Sequence, residues 1–210
     1  QRLGQDISLH PVQYGVEHWL GQCRVSFHSA GHVLGSAQIR LEVDGEVWVV
    51  SGDYKRDADP SCDPFEPVPC DVLITEATFG LPIYRWQTGA EVANEIRAWW
   101  HGDRQRPSLL FCYAFGKAQR LMAELNAIGV DDEVLLHGAV ETVTRHYRAA
   151  AVPMTPSRPV SVLRRSDSLA GRLVLAPPSA HRSSWMRRFR SPQTGFASGW
   201  MAVRGARRRR

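Results

Sequence analysis

A histidine and an aspartate give the first chemical signal in this chain. His32 lies in Ser29-Ala30-Gly31-His32-Val33-Leu34-Gly35-Ser36-Ala37, framed by small residues ahead of a predicted strand. Asp53 ends the next strand, in Ser51-Gly52-Asp53-Tyr54-Lys55-Arg56. The strands between them deliver both side chains to one edge of a sheet. Imidazole nitrogen and carboxylate oxygen are the donors of hydrolytic zinc sites, where an aspartate can bridge two ions. Each residue alone also has an ordinary use, the histidine in a turn or core and the aspartate as a turn former.

Three further segments hold groups with possible roles. Glu76 follows the short apolar run Asp71-Val72-Leu73-Ile74-Thr75. Gly116 and Lys117 open a predicted helix, where backbone amides and a neighbouring ammonium suit a phosphate, or where the chain simply turns from strand to helix. Ser179, in Ala176-Pro177-Pro178-Ser179-Ala180, is expected in a strand-end loop, either touching a nucleic-acid backbone or making an ordinary turn.

The elements that must position these groups are legible from periodicity. Strands are expected over 22–27, 37–43 and 46–51, with Asp44-Gly45 as a hairpin turn. A Pro-, Asp- and Cys-rich loop spans 57–69, and a buried strand 71–75. Thr88 is the expected N-cap of a helix to His101, with Val92, Ile96, Trp99 and Trp100 on its apolar side. Strands over 108–113, 134–136, 172–176 and 196–198 then alternate with helices over 118–128 and 140–150. That alternation implies parallel strands with crossovers. The change of style near Leu81-Pro82 predicts a domain junction.

The 210 residues, 43% of them apolar, suffice for one domain or two small ones. No stretch approaches the roughly 20 apolar residues of a membrane span, and the N-terminus shows no signal-peptide pattern. Cys23, Cys62, Cys70 and Cys112 lack close metal-ligand spacing. Cys62 and Cys70 flank a loop and are near enough in sequence to pair, but thiols in a reducing cytoplasm are the expectation. The net charge of +5 is unevenly spread. Arg164-Arg165, Arg187-Arg188-Phe189-Arg190 and Arg204 to Arg210 suit a polyanion such as nucleic acid, or form a solvated face and a frayed tail.

The wording and spacing of Ala30 to Ala37, of Ser51 to Asp57 and of Ile74 to Gly80 resemble the metallo-β-lactamase fold in its β-CASP, nucleic-acid-processing branch. Phe115-Gly116-Lys117-Ala118-Gln119-Arg120-Leu121 resembles that branch's Gly-(Arg/Lys)-Ala-Gln helix start. Gly80 to Trp86, His137 to Glu141 and Gly199 to Ala202 look like the bacterial DNA ligase-associated exonucleases, also described as mRNA 3′-end processing factor-like. The resemblance implies an α/β fold, part of an αββα sandwich (1–81) with an inserted β-CASP domain (82–198) and a return toward the first domain (199–210). It implies His32 and Asp53 as ligands of two zinc ions, and Glu76 as a carboxylate orienting a catalytic histidine. It also implies nucleic-acid contacts from Gly116, Lys117 and Ser179.

The implied activity is zinc-dependent phosphodiester hydrolysis, as a DNA exonuclease beside an ATP-dependent ligase and helicase in the cytoplasm. RNA 3′-end processing and a non-catalytic nucleic-acid-binding module are the alternatives. A small-molecule hydrolase is disfavoured by the Arg-rich insert. The branch's His-X-His-X-Asp-His hallmark is absent, since none of the eight histidines (10, 18, 28, 32, 101, 137, 146 and 181) stands in such a pattern. Its closing histidine motif is absent too. The expectation is therefore a fragment that binds metal poorly and does not cut. Trp86, Trp185 and Trp200 are candidate base-stacking residues, with core packing as the alternative.

Overall fold

A computed structural model describes residues 8–81, 83–164 and 166–199. Pro82, Arg165, Trp200 and Arg204 to Arg210, all singled out above, lie outside the described residues, as does the return segment beyond Gly199. The fold is α/β, with two five-stranded sheets and three α-helices among the described residues. Residues up to 58 with 62–84 form one compact unit, and 59–61 with those from 85 onward form another.

The first unit holds β1 (His18–Leu20), β2 (Cys23–Ser29), β3 (Ala37–Val43), β4 (Glu46–Val50) and β5 (Val72–Ile74), paired in that order. All pairs are antiparallel except β4 with β5. Asp44 and Gly45 both take positive φ, 50° and 85°, as a two-residue turn matching strand twist requires. Because β2, β4 and β5 run the same way, their C-terminal ends share one edge. His32, Asp53 and Glu76 follow those three ends.

The second unit contains α1 (Gly89–His101), β6 (Ser108–Phe111), α2 (Lys117–Ala127), β7 (Val134–Leu136), α3 (Gly138–Ala149), β8 (Ser157–Pro159), β9 (Leu173–Ala176) and β10 (Gln193–Phe196). Its sheet, in the order β10-β6-β9-β7-β8, is parallel throughout, as the alternation implies. Thr88 caps α1 in a reciprocal box: its Oγ1 accepts from the Glu91 N–H, and the Glu91 carboxylate accepts from the Thr88 N–H.

The two faces of this sheet are covered differently. Leu110, Cys112, Leu136, Leu173 and Leu175 meet Ile96, Trp100, Leu121, Met122, Leu125 and Val140 from the three helices. Leu109, Phe111, Leu135, Val174 and Ala176 meet Val160, Ala180 and the half-buried Trp185 from short 3-10 segments, and Phe189 just past the last of them. Strand β10 ends where its predicted run (196–198) begins. The parallel ladder of Gln193 to Phe196 with Ser108 to Phe111 overrides local propensity there. Strands β1 and β8 and the 3-10 segments carry no periodic signal and were not expected.

The four cysteines are free thiols. Cys112, just past β6, is only 1% exposed, and burial pushes its thiol up to about 12.

Candidate functional site

The His32 loop is built by its small residues. Gly31 takes φ 66°, and a Cβ on it would stand 2.7 Å from the Phe65 nitrogen and closer still to the Lys55 carbonyl oxygen. Only glycine allows the chain after β4 to pass so near. That passage is fixed by the Lys55 N–H donating to the Ala30 carbonyl (2.9 Å) and the Glu66 N–H to the Ser29 carbonyl (3.1 Å). Buried Gln38 ties the end of β2 to the same loop, donating to the carbonyls of Ser29 (3.0 Å) and Glu66 (2.6 Å). Ser36 Oγ accepts from the His32 and Val33 N–H groups, at 3.1 and 3.2 Å, and holds the loop from its other end.

These bonds bring the imidazole to the carboxylate. His32 Nε2 and Asp53 Oδ2 are 4.0 Å apart, and both side chains face solvent. That is too long for a hydrogen bond. It is a small side-chain rotation from the ~3.4 Å that two ligands of one tetrahedral zinc span. The pair fits part of a zinc donor set. Among the described residues no third His, Cys, Asp or Glu joins it, whereas a catalytic zinc draws on about three protein ligands.

Glu76 stands on the same edge. Ser51 Oγ lies 3.1 Å from Thr75 Oγ1, and the Ser51 N–H donates to the Ile74 carbonyl at 2.9 Å. These links keep the segments after β4 and β5 together. The Glu76 carboxylate accepts from the Thr78 N–H at 2.7 Å, curling the chain back on itself. That bond engages one carboxylate oxygen with the backbone; among the described residues no hydrogen bond links Glu76 to a histidine.

Gly116 makes the plain strand-to-helix turn that was one of its two readings. Gly116 has φ 76° and ψ −61°, and the Lys117 N–H donates back to the Phe115 carbonyl (2.9 Å), a tight γ-turn. The Ala118 N–H donates to the Tyr113 carbonyl. Two amides at the start of α2 are therefore engaged by the chain itself and are not open to a phosphate. The same turn exposes Tyr113 and Phe115, at 54% and 58%. Exposed aromatic rings suit base stacking, and the hydrophobic pattern gave no sign of them. Ser179 is exposed, but in the 3-10 segment Pro178–Ala180 rather than an irregular loop.

Of the candidate tryptophans, Trp185 packs edge-on to His137 and Phe189, both at 4.8 Å. Trp86 is exposed. His137 caps α3, its Nδ1 accepting from the Ala139 N–H at 3.0 Å, and burial pulls its pKa below the usual histidine value. It serves the helix as its N-cap.

No family model matches the chain. It is 32% identical over 203 residues to a probable DNA ligase of Opitutus terrae, covering 94% of this chain and 19% of that protein. It is 31% identical over 121 residues to the endoribonuclease ysh-1 of Neurospora crassa, covering 56% and 14%. It is 31% identical over 124 residues to cleavage and polyadenylation specificity factor subunit 3 of Dictyostelium discoideum, covering 58% and 16%. The chain thus spans less than a fifth of the length of these curated relatives.

Proposed function

The chain is homologous to endoribonucleases, to a cleavage and polyadenylation factor subunit and, over 94% of its length, to a segment of a probable DNA ligase, and on that premise we propose that it is part of a zinc-dependent β-CASP nuclease. The observation that carries the reading is the His32–Asp53 pair, held 4.0 Å apart on a strand edge. His32 and Asp53 would hold the metal from one side. A bound zinc supplies Lewis acidity and lowers the pKa of its water.

The remaining roles fall to the chain itself. Glu76 fixes the adjoining loop. Tyr113 and Phe115 offer ring faces to unpaired bases, with Lys117 and Ser179 beside the strand. DNA is the preferred substrate, as an exonuclease working beside a ligase and helicase, because the longest of the reported matches is to a probable DNA ligase. RNA is the second reading, favoured by the endoribonuclease names. Four free cysteines suit a reducing cytoplasm, and no helix among the described residues is long and apolar enough to cross a membrane.

The test is elemental zinc analysis with a nuclease assay, run on this chain and on a longer one covering the full span of the relatives. The expected result is about two zinc ions and strand cleavage in the longer protein, and less than one ion and no cleavage here. No zinc in either protein would overturn the hydrolase. Stoichiometric zinc in this chain would show that other residues complete the site.

A further inference from the structure

A cleft of about 820 Å³ opens at the edge of the second sheet where its parallel strands begin. Pro107 and Ala170, just ahead of β6 and β9, lie on its wall, as does Ser191, just ahead of β10. Tyr113, Phe115 and Ser179 follow strand C-terminal ends, at the opposite edge of the same sheet. The cleft is therefore separate from the nucleic-acid contacts proposed above.

Its charge is one-sided. Arg106, Arg164, Arg187, Arg188 and Arg190 line it, against the single carboxylate of Asp167. That carboxylate is already engaged, accepting from the Arg164 N–H at 2.9 Å. Arg106 pairs with Asp103 at 2.7 Å outside the lining. Arg188 is aimed by the Val160 carbonyl (3.1 Å) and lies over the Phe189 ring (5.9 Å). Among the described residues no carboxylate pairs with the side chains of Arg164, Arg187 or Arg190. Arginines gathered around one cleft raise its positive potential and favour an anion there.

The anchoring is rigid where it matters. Arg187 and Arg188 end the 3-10 segment Ser184–Arg188, which buried Phe189 and half-buried Trp185 pin to the sheet. Guanidinium forks match phosphate oxygens in geometry as well as charge. Among the described residues no aromatic side chain lines the cleft, which offers bases no stacking surface from them.

We infer that this cleft binds the phosphodiester backbone of a nucleic-acid strand, gripping successive phosphates without reading sequence. The inference rests on the nucleic-acid reading above, but not on metal or on hydrolysis.

The experiment is fluorescence anisotropy of the full 210-residue chain with labelled single-stranded DNA and RNA oligonucleotides of equal length, over a salt series. The comparison is the double variant R187Q/R190Q, which changes two exposed side chains and should fold as the wild type does; circular dichroism checks this. Loss of two phosphate contacts should weaken binding on the order of tenfold at low salt and make the log–log salt slope shallower by about 1.4. Equal affinity and slope in wild type and variant would overturn the cleft while leaving the nucleic-acid reading standing. No oligonucleotide binding by the wild type at low salt would overturn both. Polyglutamate of matched charge displacing the oligonucleotide equally well would make the cleft an acidic-protein site and overturn the phosphate assignment.

Discussion

The α-carbon of Gly31 faces the Lys55 carbonyl oxygen so closely that no side chain fits between them, and the Lys55 N–H bonds to Ala30 next door. This one contact converts a hairpin and a loop into a frame that presents His32 to Asp53. Gly31→Ala should therefore cost about 2 kcal/mol through the clash and the positive φ together. It should also loosen 53–66 before the rest of the unit. Denaturant titration with hydrogen exchange checks both; a cost under about 0.5 kcal/mol would mean that the loop yields freely.

Zinc added to this chain should shift the His32 ring signals in an NMR titration and leave those of His137, the α3 cap, in place. His32→Ala or Asp53→Ala should each weaken the binding about tenfold or more. Unchanged affinity in both variants would place the metal elsewhere.

Asp59 is 8% exposed overall, with its carboxylate paired to Arg120 at 3.2 Å, and Arg120 also reaches Glu124 at 3.5 Å. Removing the cation takes from two largely buried carboxylates the guanidinium they share. Arg120→Ala should cost about 3 kcal/mol, read by thermal or chemical denaturation. A cost near zero would show that solvent reaches these acids.

His137 supplies a pH dependence with a definite sign. Burial lowers its folded pKa below the unfolded value, so the unfolded chain takes up the proton first. Its stabilising effect is full above the unfolded value, about 6.5. It is lost as pH falls through the folded value. Protonation also abolishes the acceptor at Nδ1 and puts positive charge at a helix N-terminus. Denaturation at pH 7.5 and pH 5.5 should show this loss, and His137→Asn should flatten it; a His137 titration at or above 6.5 would refute it.

Tyr113→Ala and Phe115→Ala remove exposed rings and should barely change stability. Each should weaken single-stranded nucleic-acid binding by about fivefold or more, in line with ~1 kcal/mol or more per stacked base. Binding equal to wild type in both would remove these rings from the interface.

Much of this was readable in the sequence because it is local. Asp44-Gly45 and the Thr88–Glu91 box dictate a turn and a helix start through backbone chemistry alone. The small residues framing His32 were plain in the sequence, but not that Gly31 is fixed by a carbonyl from beyond the β3–β4 hairpin. Strand β10 and the 3-10 cover of the second sheet depend on distant partners, so no period marked them. The Gly116 turn was placed correctly, with a phosphate cradle and a plain strand-to-helix turn both left open; the bonds that engage the Lys117 and Ala118 amides form with the chain itself and leave no sequence signal. Exposure of Tyr113 and Phe115, like the gathering of Arg106 with Arg187 and Arg190, exists only after folding.

Cys112 gives the second sheet a clock of its own. A thiol buried between α2 and β6, with its ionisation pushed up to about 12, is inert to alkylating reagents while the sheet is closed. The other three thiols are each half-buried and react sooner. The late phase of cysteine labelling in the native chain therefore measures how often the second sheet opens, with no probe added to the protein.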